Sequence, residues 1–183
     1  MSNPHNPSPV YFGGSRNLKY QGKNSVLHQV VSAVIASGHN VHVGCQFGAD
    51  QEVALSACFR SFSSLVVFAV APTPTASPRH VQFVAYAGSH VVYSAGGTSA
   101  PIPARFLLRS IAAFQGCSQA VFFEPGAGSL AVAREAVNAG VPVWVFSATP
   151  PAPIPSCAGN WVSSEFFGFA CYGWHNAQLQ FFG

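Results

Sequence analysis

The residues of this chain best suited to chemistry are few, and they sit beside glycines. Asp50 is the only aspartate and closes the turn Gly44-Cys45-Gln46-Phe47-Gly48-Ala49-Asp50. Arg16 directly follows Gly13-Gly14-Ser15, and Glu124 precedes Pro125-Gly126-Ala127-Gly128-Ser129. Glycine lets backbone amides approach a ligand closely. A glycine turn that opens a helix adds free N–H groups and the positive end of the helix dipole, which together hold an anion. Arg105 and Arg109 are spaced i and i+4, which puts two cations on one side of a helix. That pair is either a solvated stripe or an anion clamp, and the scarcity of charge in this chain favours the clamp. Arg16 is a comparable candidate for a phosphate, whereas Lys19 and Lys23 are expected to face solvent. Ser129 can cap its helix or bond the same phosphate. Asp50 can accept from ribose hydroxyls, hold a facing arginine, or stabilise its own helix start. Glu124 can serve as a base or a ribose contact. The pattern describes a phosphate-sized cradle more readily than any one reaction.

Several chemistries find no support. A Ser-His-Asp or Cys-His arrangement is not defensible with one aspartate and histidines in unrelated segments. Neither G-x-x-x-x-G-K-[ST] nor G-x-G-x-x-G occurs, which excludes nucleotide hydrolysis by the P-loop route. The five cysteines, Cys45, Cys58, Cys117, Cys157 and Cys171, form no C-x-x-C pair and read as reduced thiols of a cytoplasmic protein. His39 and His42 flank one predicted strand without further ligands, so neither a metal nor another cofactor is expected.

Those turns need a scaffold. At 183 residues and 49% hydrophobic, the chain can bury one full core. Only 7% of residues are charged, against about a quarter in an ordinary soluble domain. The net charge of +3 reflects few acids rather than many bases, and no Lys/Arg run exists to follow a nucleic-acid backbone. So bare a surface suggests a homo-oligomer, a dimer or larger, that buries some of its faces. Met1 to Pro9 lacks the apolar run of a signal peptide, and no stretch reaches about 18 apolar residues, so no membrane span is expected.

Short apolar runs alternate with helical patterns, which predicts βαβ units on a mostly parallel sheet. Strands are expected at Val10–Phe12, Val41–Gly44, Leu65–Ala71, His90–Tyr93, Ala120–Phe123 and Val143–Phe146. Helices are expected from Asn24 or Ser25 to a stop at Gly38, and over Ala49–Phe62, Pro78–Tyr86, Ala104–Gln115 and Leu130–Ala139. The Gly-, Ser- and Pro-rich segment Ser94–Pro103 reads as a mobile loop. Residues 1–8 read as a flexible N-terminus, 9–147 as the α/β domain, and 148–183 as a proline- and aromatic-rich segment. That last segment holds Trp161, Phe166, Phe167, Phe169, Tyr172, Trp174, Phe181 and Phe182. It must dock on the sheet's edge, cover a helix layer or pack against another subunit.

The order Gly13-Gly14-Ser15-Arg16, then Val43-Gly44-Cys45-x-x-Gly48-Ala49-Asp50, then Arg105-x-x-x-Arg109, then Pro125-Gly126-x-Gly128-Ser129-Leu130 resembles the SLOG superfamily. That group includes the core of the DNA-processing protein DprA/Smf and the LOG phosphoribohydrolases, and the likeness spans about residues 9 to 147. The resemblance implies a Rossmann-like three-layer sandwich, α/β, with helices on both faces of the sheet. It also implies a nucleotide-type ligand at Gly14, Ser15, Arg16, Gly44, Asp50, Arg105, Arg109, Gly126, Gly128 and Ser129. Val132 stands where the LOG signature P-G-G-x-G-T-x-x-E has its glutamate. Three functions compete: binding or sensing a nucleotide-derived small molecule, N-glycosidic hydrolysis using Glu124 or Asp50, and DprA-like binding of single-stranded nucleic acid with aromatics as stacking platforms.

Overall fold

The computed structural model describes residues 7–19, 22, 24–93 and 99–177. Most of the expected flexible N-terminus, Lys23, positions 94–98 of the expected loop, Phe181 and Phe182 lie outside the described residues. Six parallel strands form most of one sheet: β1 (Val10–Gly14), β2 (Val41–Val43), β3 (Leu65–Ala69), β4 (His90–Tyr93), β5 (Gln119–Phe123) and β6 (Val143–Phe146). Two further strands, β7 (Gly159–Phe166) and β8 (Phe169–Asn176), form an antiparallel hairpin. The spatial order is β4-β3-β2-β1-β5-β6-β8-β7.

The connecting helices are α1 (Val26–Ala36), α2 (Ala49–Ser61), α3 (Arg79–Tyr86), α4 (Ile102–Phe114) and α5 (Ala127–Asn138). Helices α1, α2 and α3 cover one face through Leu27, Val30, Val53, Ala57, Val81 and Val84, which meet Val10, Phe12, Val43 and Val67 of the strands. Helices α4 and α5 cover the other through Ala113, Phe114, Ala133 and Ala136, which meet Tyr11, Ala120, Phe122 and Val145. Alternate strand residues thus feed opposite cores, so the strands carry continuous apolar runs. Val30, Val31 and Val34 of α1 are fully buried, and each such side chain contributes about 1.5–3 kcal/mol. Val26, at the start of the same helix, is about half exposed. The Ser25 hydroxyl caps α1 by accepting from the His28 amide at 3.5 Å.

The Rossmann-like three-layer α/β architecture is as expected. Boundaries shift where a turn meets an element: Gly13 and Gly14 pair with Phe122 and Phe123 and so lengthen β1, and α5 starts at Ala127 rather than Leu130. In the aromatic segment β8 pairs with β6 and extends the sheet. Trp161 and Trp174 face each other across the hairpin with ring centroids 5.0 Å apart. No helix among the described residues is long and apolar enough to cross a membrane.

Candidate functional site

From β1 the chain winds outward one way through β2, β3 and β4, then returns to β5 on the other side of β1. The loops after β1 and β5 therefore diverge and leave a crevice at the carboxyl edge of the sheet, the usual ligand position in such folds. A cavity of about 540 Å³ occupies it. Tyr11 and Phe122 of the central strands line it, together with Gly14, Ser15, Arg16 and Asn17 of the first loop. Gln46 and Asp50 contribute from the second turn; α4 contributes Pro103, Phe106, Leu107, Arg109 and Ser110. Helix α5 completes the lining with Gly126, Gly128, Ser129, Ala131 and Val132.

The Gly44–Asp50 turn is built around an ion pair. Arg109 Nη1 donates to Asp50 Oδ2 at 3.2 Å, and the same oxygen accepts from the Gln46 amide at 3.2 Å. The two side chains are 3% and 8% exposed. Gly44 is required here, since a Cβ at that position would fall on the Arg109 guanidinium and the Asp50 carboxylate. Gly48 has φ +78° and would drive a Cβ into the backbone of Ser15 and Arg16, where the Ala49 amide donates to the Ser15 carbonyl at 2.9 Å. The second turn thus locks against the first.

Charge in this site is set by burial. Burial raises the Asp50 carboxyl pKa, opposed by Arg109, the Gln46 amide and Arg16. Burial alone would lower that of Arg109, but Asp50 and Tyr11 outweigh it and the guanidinium is held charged. Tyr11 is pushed up to about 12, first by burial and then by the Asp50 charge, so its hydroxyl stays protonated. Arg109 Nε is buried with no hydrogen-bond partner. Both Arg109 and Arg16 lie over the Phe106 ring, at 5.7 and 5.4 Å from its centroid.

Across the cavity the α5 turn is open. A Cβ on Gly126 or Gly128 would meet nothing within 4 Å. No side chain caps this helix start, and the Ser129 hydroxyl donates instead to the Gly14 carbonyl at 2.8 Å. That bond ties the first loop to α5 and leaves the leading amides of the helix toward solvent.

Of the residues singled out in the sequence, Gly14, Ser15, Arg16, Asp50, Arg109, Gly126, Gly128 and Ser129 line this one cavity. Gly13 is buried in β1, and Gly44 and Gly48 stand behind the lining. Cys45 is buried, its sulfur accepting from the Val70 amide at 3.5 Å. Pro125 leads into α5 outside the cavity lining. Glu124 is exposed with φ +45°; its amide donates to the Phe146 carbonyl, and it does not line the cavity. Arg105 also stands outside the lining, on the same helix. Pro103, Phe106, Leu107 and Ser110 repeat at i, i+3, i+4 and i+7, so the face of α4 toward the cavity is largely apolar, with Arg109 at its margin. Tyr11, Gln46, Phe106 and Ser110 join the lining without having been singled out in the sequence, where the helical stripe through Phe106 is the one available signal.

No protein-family model matches the chain, and no curated protein matches it in sequence. Solved structures do. DNA processing protein A (DprA) from Streptococcus pneumoniae superposes with a TM-score of 0.61 at 19% identity, over 82% of this chain and 52% of that one. DprA from Helicobacter pylori superposes with a TM-score of 0.58 at 13% identity, over 78% of this chain and 67% of that one. The H. pylori structure is described as having a unique single-stranded DNA binding mode. This chain spans about half the length of the pneumococcal protein. The motif resemblance to the SLOG superfamily, which includes DprA, is met by these structures at the level of the fold.

Proposed function

We propose that the DprA-like cleft binds a nucleotide, with its phosphate at the α5 N-terminus and Arg16, and its base against Phe106. The observation that carries this reading is the uncapped, open start of α5, which lines one cavity together with the exposed Arg16. The unblocked amides of α5 suit the charge of that phosphate.

Binding rather than turnover fits the acids. Asp50 is the only carboxylate among the described residues of the lining, and Arg109 and the Gln46 amide hold it. A glycosidase needs one acid free to protonate or attack, and Glu124 stands outside the cavity. A free nucleotide-derived molecule and a nucleotide within a single strand share this recognition chemistry.

Calorimetric titration with adenosine and thymidine 5′-monophosphates tests the reading, with mass spectrometry of small molecules released on denaturation as an independent check. Arg16→Ala should weaken monophosphate binding about tenfold or more, the loss expected for one charge-assisted contact. Failure of the wild-type protein to bind either monophosphate, with no nucleotide released, would overturn it.

A further inference from the structure

Large exposed rings gather at the end of the molecule away from the cavity. Helices α2 and α3 lead back to the starts of the parallel strands β3 and β4, so their last turns lie at the amino edge of the sheet. There Tyr86 is 94% exposed and Phe59 76%, while Phe62 and Phe83 are about half exposed. Phe59 and Phe83 meet across the two helices with ring centroids 5.9 Å apart. The Phe62 ring lies over Gly88, where a Cβ would come within 3.3 Å of it. Tyr86 follows Phe83 at i+3 on α3, so the four rings form one plaque. A free ring of this kind presents about 150–250 Å², so at these exposures the four show ~400–650 Å². That matches the largest patch on an ordinary monomer, about 300–600 Å² and often functional.

The charge around the plaque has one sign. Arg60 stands exposed beside Phe59, and none of the chain's five acids is near. Asp50 and Glu52 open α2 at its other end, and Glu124 follows β5 at the carboxyl edge. Glu135 belongs to α5 on the opposite face, and Glu165 to the β7–β8 hairpin. A second copy docked through this face would bring another Arg60 and no acid. A layer of anionic lipid headgroups supplies the missing negative charge, together with an apolar bed that needs no matching pocket for a ring as free as Tyr86. We propose that this plaque docks the protein on an anionic lipid surface. The rings enter the boundary between headgroups and acyl chains, and Arg60 meets a lipid phosphate. Docking of this kind lies on the bilayer and needs no spanning helix. It leaves the cavity, at the other edge of the sheet, open to its ligand.

Flotation with vesicles tests this, using phosphatidylcholine alone and an equimolar mixture with phosphatidylglycerol. The mixed vesicles should carry the wild-type protein, and added salt should release part of it. Phe59→Ser and Tyr86→Ser should each weaken that binding about tenfold, the loss of one buried ring. Arg60→Gln should weaken it about fivefold. These side chains are exposed, so the thermal midpoint should stay at the wild-type value. In Tyr86→Trp, mixed vesicles should shift tryptophan emission to the blue, a change the wild type lacks. The proposal is overturned if the mixed vesicles carry no protein, if both vesicle types bind equally, or if the two serine variants float as well as the wild type. A wild-type dimer that Phe59→Ser converts to monomer in sedimentation velocity would assign the face to a second copy and overturn it as well.

Discussion

The Gly44–Asp50 and Glu124–Ser129 turns look like equivalents on paper, each glycine-rich and each leading from a parallel strand into a helix. In the folded chain they do opposite things. The first is filled from within: Gly44 makes room for Arg109, Asp50 is consumed by that arginine, and the helix start is buried. The second is vacant around Gly126 and Gly128, and its helix start has no side-chain cap. A glycine turn can therefore serve the protein's own side chain or an outside ligand, and the difference lies in what a distant helix inserts.

That contrast is open to test in order of size. Gly44→Ala should be the most damaging change, because displacing one partner of a buried pair costs about 3–5 kcal/mol. Urea unfolding would report it, and a loss below about 1 kcal/mol would mean the pair tolerates displacement. Arg16→Ala should leave stability within about 0.5 kcal/mol, as for an exposed side chain, while weakening monophosphate binding; a large stability loss would make Arg16 structural. Gly128→Ala, on the vacant turn, should change stability by no more than a gain of about 1 kcal/mol, since alanine favours helix. A loss there would show that the second turn is also filled.

The smallest effect concerns His80 behind the first turn. Its folded pKa is lowered to about 4 by burial, so the native state refuses a proton that the unfolded chain accepts near 6.5. Stability should fall as pH drops from about 7 to about 6 and continue to fall until the folded pKa is reached. His80→Gln should remove that component, visible as parallel unfolding midpoints at the two pH values.

Much of the scaffold was readable in the sequence because its signals are local. Val41–Val43, His90–Tyr93 and the valine stripe of α1 carry their periodicity within a few residues. The pairing of Gly44 with Arg109 was not readable, because the two are brought together only when α4 crosses the carboxyl end of β2. Arg105 and Arg109 share helix α4, but only Arg109 lines the cavity. The β7–β8 hairpin was hidden for a different reason. Its two-residue turn is Phe167-Gly168, both at positive φ (51° and 80°), where a sequence reader looks for Asn-Gly. A phenylalanine in that conformation gives no turn signal of its own.

The hairpin has one more consequence. Without it, β6 would end the sheet with a row of unsatisfied amides and carbonyls, and such a strand templates the addition of foreign strands. β8 occupies that row, and the outward limit passes to β7, where Ser163 and Glu165 are exposed. The aromatic segment therefore hands this end of the sheet from the buried apolar strand β6 to a strand that carries exposed polar side chains.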